Sequence, residues 1–232
     1  MCSSDHVDPS IRMQVAVATS QATIIPTSIS SARAHFKRNA VDLNLVRRWG
    51  LFLFAGSLFG TFVAGHVHGR VLSAVFAAVA FVVALKMILP LDNRPLAPDV
   101  PQGPATQILP GTIGVLSSMM GIGGGTLSVP IMTLLNQPIH RAVGTAALFG
   151  LVISIPATAG FVVAGSGNGL LPVGSLGFVN LVGFAFIAPT TMLTAPLGAR
   201  IAHGLQRRQL SILFGLFLLI VAVRMLYQTL RT

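Results

Sequence analysis

The stretch that decides the fold is residues 108–136, ILPGTIGVLSSMMGIGGGTLSVPIMTLLN, which carries no charged residue. At its centre stands the run Gly121-Ile122-Gly123-Gly124-Gly125. The apolar flanks are typical of membrane-buried helix, but each glycine inside a helix costs roughly 1 kcal/mol relative to alanine. Pro130 removes a further backbone donor just beyond the run. The stretch therefore predicts a helix that is broken, either re-entrant or kinked, at membrane depth.

A break at that depth indicates a binding site. In lipid, unpaired N–H and C=O groups are tolerated only inside protein or beside water. The bare backbone and the N-terminus of the second half-helix can then face a ligand. The alternative is close helix packing through small residues. Three consecutive glycines exceed what packing needs, so the pattern favours the broken helix.

Composition places the chain among integral membrane proteins of the all-α class. Of its 232 residues, 53% are hydrophobic and 9% are charged, against roughly 25% charged in soluble domains. The net charge of +10 favours topology signals at helix ends over a nucleic-acid partner. The only cysteine is Cys2, which excludes a disulfide framework and a cysteine metal site.

Hydropathy and proline content divide the chain into four segments. These are a polar N-terminal segment (1–12), a first transmembrane repeat (13–91), a proline-rich linker (92–107) and a second transmembrane repeat (108–232). At roughly 20 residues per span, the chain is expected to be polytopic.

Within the repeats, a Thr/Ser-rich segment containing Pro26 precedes a predicted basic loop over residues 33–48. Trp49 is predicted to be an interfacial anchor at the start of a span. The predicted spans and the broken segment are residues 49–67, 71–91, 108–136, 141–164, 175–199 and 210–227.

The two halves resemble each other in sequence. Residues 60–87 align without a gap with residues 198–225, and residues 16–19 resemble residues 142–145. The identities include Gly60/Gly198, Ala64/Ala202, Arg70/Arg208, Leu72/Leu210, Ser73/Ser211, Phe76/Phe214, Val83/Val221, Ala84/Ala222 and Met87/Met225. The glycine-broken segment opens the second repeat and has no counterpart in the first.

These residues resemble a known family. The run Gly114, Gly121 to Gly125, Val129-Pro130 and then Ala142 to Thr145 resembles the sulfite exporter TauE/SafE family of membrane permeases. So do Ala18-Thr19-Ser20 and Ile25-Pro26-Thr27-Ser28 in the first half. The resemblance covers nearly the whole chain from about Val7.

The resemblance implies a multi-pass transporter of the bacterial inner membrane for small anions such as sulfite, sulfonates or related organosulfur anions. Its partners would be the anion and the lipid bilayer, and a homo-oligomer is compatible with it. Family members have two halves, each with a glycine-rich helix, and this sequence lacks the first. The alternatives are a start codon farther upstream, or a truncated fragment or half-transporter that needs another segment or chain.

Candidate substrate-binding residues are backbone donors at the break and hydroxyl groups near helix starts, because a helix N-terminus carries about +0.5 charge. They are Gly121, Gly123, Gly124, Gly125, Thr126, Ser128, Pro130, Thr145, Thr19 and Ser20. For any one hydroxyl, a hydrogen bond to its own helix carbonyl is the commoner role.

Acidic and histidine residues argue against buried acid–base chemistry. The acids are Asp5, Asp8, Asp42, Asp92 and Asp99, and all lie outside the predicted spans. The histidines all fall at ends or loops, and His66 and His68 are interpreted as interfacial, not as metal ligands. We therefore expect no enzyme, catalytic residue, metal ligand or cofactor, and no carboxylate proton relay.

The basic residues decide between two topologies. If the broken segment crosses once, the repeats are parallel and six of fifteen basic residues lie inside: Arg12, Arg70, Arg141, Arg200, Arg207 and Arg208. If it turns back, the repeats are inverted and eleven lie inside: Arg33, Lys37, Arg38, Arg47, Arg48, Lys86, Arg94, Arg141, Arg200, Arg207 and Arg208. The positive-inside rule favours the re-entrant segment.

The placement of the acids generates a first prediction. Replacing each aspartate singly with asparagine should leave an anion flux that still follows the anion gradient, because none is expected within a span. The measurement is flux into proteoliposomes, with insertion checked for each variant. Loss of flux in one correctly inserted variant would reveal a relay.

Overall fold

The computed structural model describes residues 8, 10–67, 69–89 and 105–231. The helices are α1 (Arg12–Phe36), α2 (Leu43–His66), α3 (Gly69–Ile88), α4 (Ala105–Met120), α5 (Gly125–Leu134), α6 (Ile139–Gly165), α7 (Leu181–Gly204) and α8 (Arg207–Arg231). Two short strands, β1 (Ser175–Leu176) and β2 (Val179–Asn180), form an antiparallel hairpin. The predicted all-α membrane fold is confirmed. The four-segment division stays a prediction, since residues 1–7 and 90–104 lie outside the described residues.

Three of the described helices are long and apolar enough to cross a membrane: α2, α6 and α7. Two buried clusters hold the bundle together. One joins α2, α5 and α6 around Leu53, Met132 and Phe149. The other closes the opposite end around Val17 and Phe161.

The helix break predicted at the glycine run is present. Helix α4 ends at Met120 and α5 begins at Gly125. Between them Gly121 and Gly123 have φ of +68° and +63°, in the left-handed region that side chains disfavour. The N–H of Gly121 donates to Ser118 O and that of Ile122 to Ser117 O, each at 3.4 Å, as in a Schellman cap.

Helix α1 supplies hydrogen bonds to the carbonyls freed at this break. Gln21 is fully buried, and its Nε2 donates to Ser117 O at 3.0 Å and to Ser118 O at 3.3 Å. Its Oε1 accepts a hydrogen bond from Ser154 Oγ of α6 at 2.8 Å. Ser20 Oγ donates to Gly121 O. Because lipid offers no partners for peptide groups, these side chains are what allows the backbone to leave the helix here.

Helices α2 and α4 run parallel. Gly56 packs against Gly111, and four residues later Gly60 packs against Ser118. The two sets of residue numbers rise together along the interface. Glycines at both contacts let the two backbones approach closely.

Helices α2 and α6 also run parallel. Trp49 stacks on Phe149 with ring centroids 5.8 Å apart, and farther along both helices Thr61 packs against Gly160. Helix α6 therefore points in the same direction as α4.

Helix α5 runs the other way. Its first turn, at Gly124, packs against Phe149 in the interior of α6. Its last residue, Leu134, is joined to the first residue of α6, Ile139, by only four residues. Since α5 is antiparallel to α6 and α4 is parallel to it, the chain turns back at the glycine run. The geometry is that of a re-entrant segment, not a single crossing.

Counterpart helices of the two sequence repeats run in opposite directions. Helices α1 and α6 are antiparallel, because Gln21 contacts Ser154 while His35, farther along α1, packs against the earlier Gly144. Helices α3 and α8, another pair of counterparts, are in direct contact, since Ser211 Oγ donates to Met87 O at 3.1 Å.

Helix α7 is parallel to α1, as the contacts Thr27–Thr191 and His35–His203 show. Helix α2 packs on α6 much as its counterpart α7 packs on α1. This is the arrangement of inverted repeats about a pseudo-two-fold axis.

One end of the bundle is strongly basic. It holds the ends of α1 and α7 and the starts of α2 and α6, and we call it the basic end. Its basic residues in the described chain are Arg33, Lys37, Arg38, Arg47, Arg48, Arg141, Arg200, Arg207 and Arg208. The charge count that favoured the re-entrant segment therefore agrees with the helix directions.

The predicted basic loop over residues 33–48 is wrong in extent. Helix α1 continues to Phe36 and α2 begins at Leu43, so the loop spans only residues 37–42. Asn39, with φ of +54°, ends the first helix. The carboxylate of Asp42 accepts from Leu45 N–H at 3.0 Å and caps the second.

Two further expectations are corrected. Trp49 is not an interfacial anchor: it lies six residues inside α2, is buried and stacks on Phe149. The span predicted over 175–199 begins later, because the hairpin occupies residues 175–180 and α7 starts at Leu181. The Asn180 side chain accepts from Gly183 N–H at 2.7 Å and caps that helix.

The hydrogen bonds of Gln21 generate a stability prediction. Gln21→Met keeps the side-chain volume but leaves the buried Ser154 hydroxyl without its acceptor and removes one hydrogen bond each from the Ser117 and Ser118 carbonyls. An unsatisfied buried group costs roughly 1–3 kcal/mol. We expect a lower thermal unfolding midpoint in detergent for Gln21→Met than for the exposed control Gln107→Met. Equal midpoints for the two variants would contradict the role given to Gln21.

The helix directions generate a topology prediction. Single cysteines at Lys37 and Gln206, both exposed at the basic end, should be shielded from an impermeant thiol reagent added outside intact cells. A cysteine at exposed Ser166, at the far end of α6, should be labelled. All three are placed in a Cys2→Ser background. Labelling of the Lys37 position with protection of the Gln206 position would restore the single crossing.

Candidate functional site

A cavity of about 370 Å³ lies against the glycine run, and we call it the glycine cavity. Its wall is formed by α1, the break, α5 and α6, with contributions from α3, α7 and α8. The volume falls within the range of small-molecule sites. The described part of the wall carries no charged side chain.

Four of the residues predicted from the sequence lie on this wall: Gly123, Gly124, Gly125 and Thr126. They form the first turn of α5 and the backbone leading into it. The first N–H groups of any α-helix have no acceptor within the helix and carry its positive dipole end. The wall therefore presents backbone donors and partial positive charge without a formal cation.

Gly124 and Gly125 differ in what surrounds them. A Cβ on Gly124 would lie 2.7 Å from Phe149 Cβ and 3.0 Å from Gly150 N, so the missing side chain lets the break rest on α6. A Cβ on Gly125 would meet nothing within 4 Å. Gly124 is therefore a packing position, whereas a side chain at Gly125 would enter open space beside the cavity.

Three other predicted residues near the run are not on the wall. Gly121 faces Val17 of α1. Pro130 lies within α5 without interrupting it. The Ser128 hydroxyl is fully buried and has no hydrogen-bond partner among the described residues.

The hydroxyl residues predicted nearer the helix starts serve the scaffold. Thr19 Oγ1 donates to Val15 O at 2.7 Å and accepts from Asn180 N–H at 3.0 Å, which is the back-bonding alternative considered from the sequence. Thr145 Oγ1 accepts from Asp42 N–H at 2.9 Å. Ser20 holds the carbonyl of Gly121. None of the three is on the cavity wall.

The structure adds three hydroxyl residues of α1 that the sequence reasoning did not select. Thr27, Ser28 and Ser31 all line the cavity opposite α5. Thr27 Oγ1 is within 2.7 Å of both Thr23 O and Thr191 Oγ1. A signal was present, because Ser20, Thr23, Thr27 and Ser31 fall at the helical spacing of i, i+3, i+7 and i+11.

His35 lies at the end of α1, as expected from the sequence, but it is buried there. Its side chain is only 2% exposed, and its Nδ1 lies 3.0 Å from Nε2 of His203. The ring of His203 in turn stacks on His140 at a centroid distance of 5.3 Å. Three histidines that are far apart in sequence thus meet at the basic end. His66 is exposed, as predicted.

Comparison with known proteins places this geometry in context. The sulfite exporter TauE/SafE family matches residues 8–225. A probable membrane transporter protein of Haemophilus influenzae is 33% identical over 221 residues, covering 94% of this chain and 83% of the relative. The probable membrane transporter protein YunE of Bacillus subtilis is 25% identical over 238 residues, covering 93% and 81%. No solved structure matches the chain significantly.

The glycine-broken segment, the repeated helices and the match to the family over residues 8–225 all indicate the same family. The resemblance seen in the sequence is confirmed over nearly the whole chain. The relatives are named as membrane transporters, in keeping with apolar helices that line a small cavity. The chain belongs to the sulfite exporter TauE/SafE family of membrane transporters.

Proposed function

We propose that this protein is a multi-pass transporter of the bacterial inner membrane that exports small anions. The substrate class proposed is sulfite, sulfonates or related organosulfur anions, bound in the glycine cavity. The single observation that carries the proposal is that the first turn of α5, with Gly123 to Thr126, opens onto that cavity.

The chemistry of the wall favours an anion over a cation. Backbone N–H groups and the positive end of the α5 dipole face the cavity. Hydroxyls of Thr126, Thr27, Ser28 and Ser31 add donors that can turn towards an oxyanion. A cation site would need carboxylates or convergent carbonyl oxygens, and the described wall holds no carboxylate.

Partial charges suit transport better than formal ones. An arginine or lysine in a dry cavity would bind an oxyanion by charge-assisted hydrogen bonds, which are roughly twice as strong as neutral ones. A carrier must also release its substrate, so moderate affinity from dipoles and hydroxyls supports turnover. Inverted repeats with the site beside a broken helix are a known plan for such carriers.

The proposed function excludes catalysis, cofactors, metals and nucleic acids. We propose a non-enzymatic permease that needs no cofactor or metal and has no nucleic-acid partner. Its other partner is the lipid bilayer. The sulfur-containing class rests on the family's description, since the relatives' names specify membrane transport alone.

A second candidate is a half-transporter completed by another segment or chain. Its support is an asymmetry between repeat counterparts. Gly60 of α2 packs against Ser118 of α4, whereas its counterpart Gly198 of α7 has nothing within 4 Å. Co-expression with a second, tagged copy followed by mass measurement in detergent would distinguish this candidate from a transporting monomer.

The site generates a paired prediction. Gly125→Leu should greatly reduce anion flux without loss of folding, because a Cβ at this position meets nothing within 4 Å and the side chain enters the cavity. The matched control is Gly50→Leu, another helical glycine at which a Cβ meets nothing within 4 Å, but which lies off the cavity wall. The measurement is sulfite and sulfonate flux in proteoliposomes.

Gly124→Leu should instead lower stability as well as flux, because the added side chain meets the backbone of α6. Normal flux in correctly inserted Gly125→Leu would refute the site. Equal loss of flux in Gly125→Leu and Gly50→Leu would show a general effect of added bulk on the helices.

A further inference from the structure

The three-histidine cluster lies directly beneath the glycine cavity. Three wall residues, Ser31, Ile139 and Ala202, stand next to its members along the helices. Ser31 is one turn before His35 on α1, Ile139 directly precedes His140 on α6, and Ala202 directly precedes His203 on α7. The cluster therefore adjoins the cavity wall at the basic end of the bundle.

The cluster ties three helices together by a single hydrogen bond and a ring stack. Nδ1 of His35 and Nε2 of His203 are 3.0 Å apart, with the donor set by the tautomer. The rings of His140 and His203 stack at 5.3 Å with an interplanar angle of 22°. Nε2 of His140 is buried and has no hydrogen-bond partner among the described residues.

The rings are not arranged as metal ligands. His140 lies face to face with His203, so their nitrogens do not converge on a common point. Among the described residues no group of three His, Cys, Asp or Glu is placed to hold a metal ion. The hydrogen-bonded pair of His35 and His203 is instead suited to binding a proton, because a protonated imidazole can donate to a neutral one.

We propose that His35, His140 and His203 form a proton-binding site, and that proton binding opens the glycine cavity towards the basic end. The inference rests on the proposed transport function in so far as the opening serves substrate passage. It names the proton as the ion coupled to that transport.

The closed cluster disfavours an added proton. The groups that act on His35 are His203, Arg38 and His140, all of them basic. Arg38 and His140 also act on His203. A buried positive charge among like charges is costly, and water entering between the helices relieves that cost.

The hydrogen bond between His35 and His203 limits how many protons the closed cluster can bind. One imidazole must accept for the bond between His35 and His203 to exist. With one added proton the bond survives, as imidazolium donating to imidazole. With two added protons both rings are donors only, so the bond is lost and the cations repel. The open arrangement therefore binds more protons than the closed one, and lowering the pH favours opening.

The test measures opening without relying on transport. A single cysteine replaces Ala147, a partly buried wall residue of α6, in the full-length Cys2→Ser protein in detergent. Its reaction rate with a thiol reagent is divided by that of the exposed Ser166→Cys protein. This ratio removes the intrinsic pH dependence of thiolate formation.

The ratio should rise several-fold between about pH 8 and about pH 5, the interval over which histidines change charge. With His203→Gln added, the ratio should be flat. With His66→Gln, which removes an exposed histidine on α2, the rise should remain. His140→Gln is the second cluster variant should His203→Gln not fold.

A flat ratio in the parent protein, or an equal rise in the cluster variant, would overturn the proposal. Flux in proteoliposomes separates this proposal from the proposed function. A pH-dependent ratio without flux of any tested anion leaves the proton site standing and refutes the transport function. Flux whose pH profile is unchanged in His203→Gln upholds transport and refutes proton coupling through the cluster.

Discussion

The rest of the structure depends on how the peptide groups freed at the glycine break are paired. Where α4 stops, two carbonyls face the fully buried amide of Gln21 and a third faces the hydroxyl of Ser20. Gln21 in turn receives a hydrogen bond from Ser154 of α6. Since unpaired groups cost several kcal/mol each in hydrocarbon, a non-helical turn inside a membrane protein requires such a frame. Helix α1 provides these hydrogen bonds. It belongs to the first repeat and packs against α6 and α7 of the second.

The same frame explains why the site is polar without being charged. Ser20 and Gln21 use their polar groups in hydrogen bonds that hold the break. The groups that face the cavity are therefore the first turn of α5 and the later hydroxyl residues of α1, Thr27, Ser28 and Ser31. Gly124 rests on Phe149, which fixes the direction of the half-helix, while Gly125 stays open. One glycine serves packing and its neighbour leaves room for a ligand.

Symmetry and its interruption are both visible in the packing. Counterpart helices run in opposite directions, and α2 packs on α6 as α7 packs on α1. The glycine-broken segment covers α2 at Gly56 and Gly60. The counterpart position on α7, Gly198, is open within the described chain. Within the described residues, the re-entrant segment thus covers α2 of the inverted repeat, whereas the counterpart position on α7 is not covered.

The fold class, the helix break and the family could all be predicted from the amino-acid sequence. Low charge and long apolar runs leave a helical membrane protein as the fitting class. The break can be predicted from local sequence because Gly121 and Gly123 stand where φ is positive, a conformation that glycine favours. The charge count also favoured inverted repeats, because basic residues collect on one side of a membrane whatever the packing.

Which side chains meet depends on the packing between helices and could not be predicted from local sequence. Thr19 and Thr145 look like Thr126 in sequence, yet they bind backbone groups of the hairpin and of the α1–α2 loop. Thr27 and Ser31 reach the cavity instead. Trp49 is predicted from the sequence to be an interfacial anchor, but neighbouring helices cover it, as they cover His35 at the end of α1. Burial depends on what packs across from a residue. The contact of His203 with His35 joins positions 168 residues apart, and its contact with His140 joins two different helices. Local pattern fixes where a helix starts and stops, whereas the site is set by the crossing of α1, α6 and α7.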